Sequence, residues 1–202
     1  GVSLSYNQLN NIEGLWFGRQ FNDQDLTIDY SAPTGENFEV NQVNYFSLAT
    51  GIRWIYFIDD QRSLESGISL FHLNNPETGF NQGSNYLNSR LNFFFSGEFP
   101  LNSDILQKAG LFVSMQKPSF QFIPSYMLKF LINNEDSTMK LGLAGRISNS
   151  INSMSLDAII IQFGLEARQW GAQLNYDINV SSLNQFTSGQ GALELSLFYK
   201  LF

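Results

Sequence analysis

The sequence contains no cysteine, a single histidine and only 14 % charged residues. Zero cysteines exclude a disulfide framework, a thiol nucleophile and a thiolate-ligated metal. One histidine, His72, excludes a multi-histidine zinc centre and leaves a weak case for a Ser-His-carboxylate triad. No window approaches the roughly 18 consecutive apolar residues of a transmembrane helix. Eleven lysines and arginines against eighteen acids give a net charge of -7. That balance argues against a nucleic-acid phosphate footprint and supplies no polybasic membrane anchor. Glycine-rich phosphate loops, zinc-protease motifs and nucleophile elbows are also missing. The expectation is therefore a protein that is not an enzyme, with no cofactor, no metal and no nucleic-acid partner.

What the chain has in quantity is aromatic side chains: 19 Phe, 8 Tyr and 3 Trp in 202 residues. They alternate with Asn, Ser, Gln and Gly, a mixture too apolar for disorder and too poor in charge for an ordinary soluble surface. Phe46, Leu48, Ile52, Trp54 and Tyr56 share one phase, with Ser47, Ala49, Gly51 and Arg53 in the other. Asp59 and Asp60 turn the chain into a run in which Leu64, Ile68 and Leu70 oppose Glu65, Gly67 and Ser69. The same period of two recurs through Leu91–Phe99, Ala109–Gln116, Phe120–Phe130, Met139–Arg146, Ile159–Glu166, Trp170–Val180 and Leu193–Leu201. Pro124 inside one of these runs calls for an edge, a bulge or a displaced boundary. The Ser/Asn-rich stretch after Arg146 has room for a short helix, and Arg168 with Gln169 form a tight reversal.

About ten or eleven strands result. The predicted fold class is all-β: an antiparallel transmembrane β-barrel of the bacterial outer membrane, a single domain over 1–202 and the later portion of a larger barrel. A chain opening at Gly1 without a signal-like segment fits processing or partial coverage at the N-terminus. The competing reading is a soluble sandwich, which has the same alternation. Lipid is favoured because the second face carries Gly, Asn, Gln and Ala more than the Lys and Glu of a solvated strand. Trp54, Tyr56, Trp170 and Tyr199 are candidates for an interfacial girdle, or alternatively for core packing.

Arg53, Arg146, Glu166 and Glu194 are expected to face the lumen, since a charge facing lipid at mid-depth costs roughly 2 to 4 kcal/mol. Arg90, Arg168 and Asp177 lie in or beside strands with them. No ring of one charge repeats, which favours a packed or plugged interior over a selectivity-lined pore. His72 reads as a strand-ending hydrogen-bonding group at a rim. The acid pairs Asp23 with Asp25, Asp59 with Asp60 and Glu135 with Asp136 read as solvated turns, because none matches a calcium loop.

Three segments then resemble one family in order. YDINVSSLNQFTSGQGALELSLFYKLF, Tyr176 to Phe202, is similar to the C-terminus of the PorP/SprF family of type IX secretion membrane proteins. ESGISLFHLNNP, Glu65 to Pro76, and FIPSYMLKF, Phe122 to Phe130, resemble its His-Leu and Pro-Ser segments. The resemblance implies a non-enzymatic outer-membrane component of Bacteroidota secretion and gliding motility. Its implied partners are the lipid bilayer, periplasmic ring, motor and lipoprotein components, and a secreted adhesin or its C-terminal targeting domain. An outer-membrane channel or small-solute transporter is the alternative. The matching positions are His72, Leu73, Pro76, Pro124, Ser125, Tyr176, Asp177, Asn179, Ser181, Ser182, Gly189 and Gly191. For Asp177, Asn179, Ser181 and Ser182 the implied role is hydrogen bonding at a strand end, and for Gly189 and Gly191 a tight return into the last strand.

Overall fold

A computed structural model of the protein describes residues 1–10, 18–22, 25, 27–33, 40, 42–80, 85–132, 137–149, 154–181 and 191–201. Ser182, Gly189, Asp23, Glu135, Asp136 and Phe202 lie outside the described residues. The alternating segments become strands: β1 Val2–Asn10, the short β2 Phe21–Asn22 and β3 Thr27–Ile28, β4 Gln42–Phe57, β5 Ser63–Phe71 and β6 Arg90–Pro100. They continue as β7 Ile105–Gln116, β8 Ser119–Ile132, β9 Ser137–Asn149, β10 Met154–Ala167, β11 Trp170–Asn179 and β12 Ala192–Tyr199. Strands β2 and β3 pair with each other in a two-stranded ladder. The Ser/Asn-rich stretch expected to hold a helix is strand up to Asn149 and again from Met154, and 150–153 lie outside the described residues.

The other ten strands form one sheet in the order β1-β4-β5-β6-β7-β8-β9-β10-β11-β12. Each neighbour is next along the sequence apart from the step over β2 and β3, as hairpin connections produce. The sheet is not the predicted closed transmembrane barrel of the outer membrane. The ladder begins at β1 and ends at β12, and these strands do not pair among the described residues, so the sheet is open. A period of two dictates a two-faced sheet but carries no information on whether its first and last strands meet, which depends on strand tilt and stagger. The outer-membrane assignment, the PorP/SprF identification, the secretion and gliding role and the channel alternative all required closure and fall with it. No helix among the described residues is long and apolar enough to cross a membrane.

The chain divides into two compact units, one comprising Gly1, 51–70 and 90–202, the other 2–50 and 71–89. In the larger unit, register puts like on like: Phe93 faces Val113, Phe95 faces Leu111, Ile161 lies between Leu143 and Tyr176, and Phe163 between Leu141 and Leu174. These apolar cross-strand pairs stabilise the sheet by a few tenths to about 1 kcal/mol each. The opposite face carries every charge of β4 to β12, among them Arg53, Glu65, Glu98, Lys108, Lys129, Lys140, Arg146, Glu166, Asp177 and Glu194. A bulge between Leu156 and Ala158 preserves the phase where β10 has one residue more than β9.

Pro124 sits in an interior strand, contrary to the expected edge, bulge or boundary. Its pairing with Leu111 is kept, whereas the β8–β9 ladder skips from Phe122 to Ser125 without changing register. The missing N–H thus costs one local rung rather than the strand. Gly171 has a different constraint: a Cβ there would lie 2.2 Å from the Phe198 ring, which Lys140 approaches at 5.9 Å from its centroid. Burial is sparse: among the described residues Leu106, Ala144 and Ala158 are the buried hydrophobic side chains, all three in phase with the charged residues, while Phe95, Leu143, Ile161, Trp170, Leu195 and Leu197 on the apolar face are exposed.

Candidate functional site on the polar face

Alternation on β6 to β12 points a set of polar side chains into a concave basin of the larger unit, a cavity of about 590 Å3. Lys108, Lys129, Lys140 and Arg146 line it together with Asp177 and Glu194, and Gln162, Gln173 and Asn175 form its floor. Cross-strand ion pairs neutralise the cations. Lys129 donates to Glu98 and Arg146 to Asp177, each joining residues two strands apart, and Lys140 donates to Glu166 on the adjacent strand. Lys108 lies 3.5 Å from Glu65, which also accepts from Arg53 Nε at 2.7 Å. Gln173 Nε2 donates to Asn175 Oδ1 at 2.9 Å.

Glu166 is held from two directions: Lys140 reaches one carboxylate oxygen, and Lys200, just beyond β12, donates to the other at 2.5 Å. Partial burial pushes its carboxyl upward, but hydrogen bonds and attraction from both ammonium groups outweigh this and hold it below the ordinary value. Glu166 thus acts as a tie between β9, β10 and the end of the last strand.

A second cavity, about 450 Å3, lies where β9 to β12 reach their longer connections and gathers Arg146, Asp157, Asp177, Asn179, Ser181 and Gly191. Five of these were singled out by sequence. Asn179 Oδ1 accepts from the Ser181 N–H at 3.0 Å and its Oγ at 2.8 Å, a local cap two residues apart. Asp157, at the bulge, accepts from Ser148 and, at 3.0 Å, from Ser155. Gly191 is required for space: a Cβ there would stand 1.8 Å from the Asp177 carbonyl oxygen.

The remaining candidates are not brought to these cavities as a group. Ser125 lines the first cavity, whereas Pro124 and Tyr176 are on the apolar face; Glu194 lines the first cavity, and Ser196 Oγ lies 3.4 Å from it. His72, Leu73 and Pro76 belong to the smaller unit. There His72 adopts a left-handed backbone with φ 55°, and its Nδ1 lies 2.7 Å from Oγ of the buried Ser47. Next to it, the Asn74 side chain acts as a backbone surrogate, accepting from the Leu48 N–H at 3.1 Å and donating to the Phe46 carbonyl at 2.8 Å.

Sequence reasoning missed Glu98, Lys108, Lys129, Lys140 and Asp157. All but the bulge residue Asp157 share the phase of the charges that were singled out, so alternation alone was sufficient to find them. Ser47 and Asn74 carried no such signal, because their partners are 25 and 26 or more positions away. Among the described residues no group of three or more His, Cys, Asp or Glu is placed to hold a metal ion. No family model, no curated protein and no solved structure matches the chain.

Proposed function

We propose that this chain is a non-enzymatic, lipid-engaging β-sheet protein, whose apolar face takes hydrocarbon as its partner while the ion-paired basin stays in water. The observation that carries this reading is the segregation of charge: β4 to β12 place all their charged residues on one face and none on the other. Eight strands, β5 to β12, at roughly 4.8 Å spacing with several apolar rows each, offer an apolar area on the order of 1,000 Å2. Patches larger than a few hundred Å2 mark interaction or membrane surfaces. Lipid is favoured over a protein partner because this face presents no charge and almost no polar group by which a protein could be selected. The basin supports a structural role, since each cation in it has an acidic partner and no nucleophile is paired with a base there.

Flotation with neutral phosphatidylcholine vesicles tests the reading. The protein is expected to rise with the vesicles and to remain with them at high salt, because apolar burial is not screened. Ile161→Lys, on the apolar face, lowers the floated fraction, and Gln162→Lys, one residue along on the polar face, leaves it unchanged. Protein that stays at the bottom of the gradient, or two variants that behave alike, rejects the proposal.

A further inference from the structure

The two ends of the ladder are built differently from the strands between them. On the apolar face of β12, Leu195 and Leu197 are 63 % and 73 % exposed, and on β1 Val2 and Leu4 are 83 % and 64 % exposed. The same face of interior strands spans a wide range, from Leu174 and Phe163 at 39 % to Leu143 at 58 % and Ile52 at 74 %. What sets the end strands apart is that, among the described residues, each has a paired neighbour on one side only. Edge strands of natural sheets are normally guarded by proline, bulges, lysine or very short length. β1 has nine residues with no charge and no proline, and pairs with β4 without a bulge. β12 has eight residues, no proline and no lysine, and its ladder with β11 is continuous.

The two edges also fit each other. Val2, Leu4 and Tyr6 carry the apolar face on β1 with Ser3, Ser5 and Asn7 opposite; Leu193, Leu195, Leu197 and Tyr199 do the same on β12, with Glu194 and Ser196 opposite. Ladders β1–β4 and β6 to β12 are antiparallel, and the hairpin at Ile58–Arg62 joins β4 to β5 in the same sense. Between β5 and β6, Gly67 meets Phe94 and Gly97 meets Leu64, contacts that also run in opposite directions. Each edge alternates apolar and polar side chains without interruption, so a β1 laid beside another chain's β12 pairs with both faces in phase.

We infer that β12 of one copy receives β1 of a second copy, so that the protein associates head to tail through its sheet edges. The bond is main-chain pairing, with the shared apolar face setting which way up the second strand enters. The contact is heterologous, because the two surfaces it joins are different. This inference is independent of the lipid reading, since unpaired edge groups favour a strand partner in water and in lipid alike.

The absence of native cysteine makes the test clean. Ser3→Cys chains carrying a large tag are mixed with untagged Ser196→Cys chains and treated with a short bis-maleimide; both positions lie on the polar face of an edge strand. A tagged-untagged dimer is expected from the mixture and not from either variant alone. An excess of the free peptide VSLSYNQLN, the sequence of β1, is expected to reduce that dimer. The inference is overturned by a mixture that yields no such dimer, by single variants that dimerise equally well, by a yield indifferent to the peptide, or by a Ser3→Cys/Ser196→Cys chain that cross-links within itself. Matching unfolding profiles of the variants and the parent chain establish that all are folded.

Discussion

The sharpest stability prediction concerns Gly191, at the entrance to β12. A methyl group there would have to stand 1.8 Å from the Asp177 carbonyl oxygen, where ordinary contact begins near 3.4 Å. The two therefore need to separate by about 1.6 Å, the difference of those distances. The obstructing atom is backbone of β11, not the tip of a side chain, and it cannot rotate away. Asp177 and Ala192 form the rung next to it, and the Asp177 side chain holds Arg146. Gly191→Ala is expected to cost about 1 to 3 kcal/mol, the usual penalty for inserting a methyl where none fits. The loss should concentrate at the Ala192–Leu193 end of β12. Gly145→Ala is the control, because its Cβ would meet only Leu156 Cδ1, at 3.5 Å. That variant should be neutral or gain up to about 1 kcal/mol through a less flexible unfolded chain. Denaturant midpoints at unchanged slope give the two energies, and amide exchange along β12 locates the first. Equal midpoints for the two variants, or exchange that accelerates uniformly over the sheet, would refute the close-approach argument.

Two further predictions follow from other contacts. Glu166, held below its ordinary value by Lys140 and Lys200, stabilises the fold above the unfolded carboxyl value of 4.5, and that contribution is lost as pH falls from there through its lower folded value. Glu166→Gln is accordingly expected to flatten the acid limb of a midpoint-versus-pH series begun near neutrality, and an unchanged limb counts against the two-lysine clamp. Asn74→Ala removes two side-chain hydrogen bonds to the β4 backbone and should lower stability by about 1 to 2 kcal/mol. Asn74→Asp retains the acceptor for the Leu48 N–H but sets a carboxylate oxygen against the Phe46 carbonyl oxygen, so near neutral pH it should be no more stable than the alanine variant in the same unfolding measurement.

The sequence by itself determined the strands and their two faces. Once Leu174 and Tyr176 were apolar and Gln173, Asn175 and Asp177 polar, the period of two committed each side chain to a face before any partner strand was known. The same rule placed Arg53, Arg146, Glu166 and Glu194 together on the polar side. The Asn179–Ser181 cap is equally local, spanning two residues, although it entered the sequence reading only through the family resemblance.

Only the tertiary structure decided who pairs with whom. Arg146 meets Asp177 across 31 positions, and Lys140 meets Glu166 across 26, because the registers of β9, β10 and β11 align them. Nothing in either residue's neighbourhood specifies that register. Gly191 makes room for a carbonyl of the adjoining strand, a constraint that exists only after β11 and β12 have paired. The expected barrel failed for the same reason. Alternation is a property of each strand and survives in any two-faced sheet, whereas closure is a property of all ten strands at once, set by how their twist and stagger accumulate from β1 to β12.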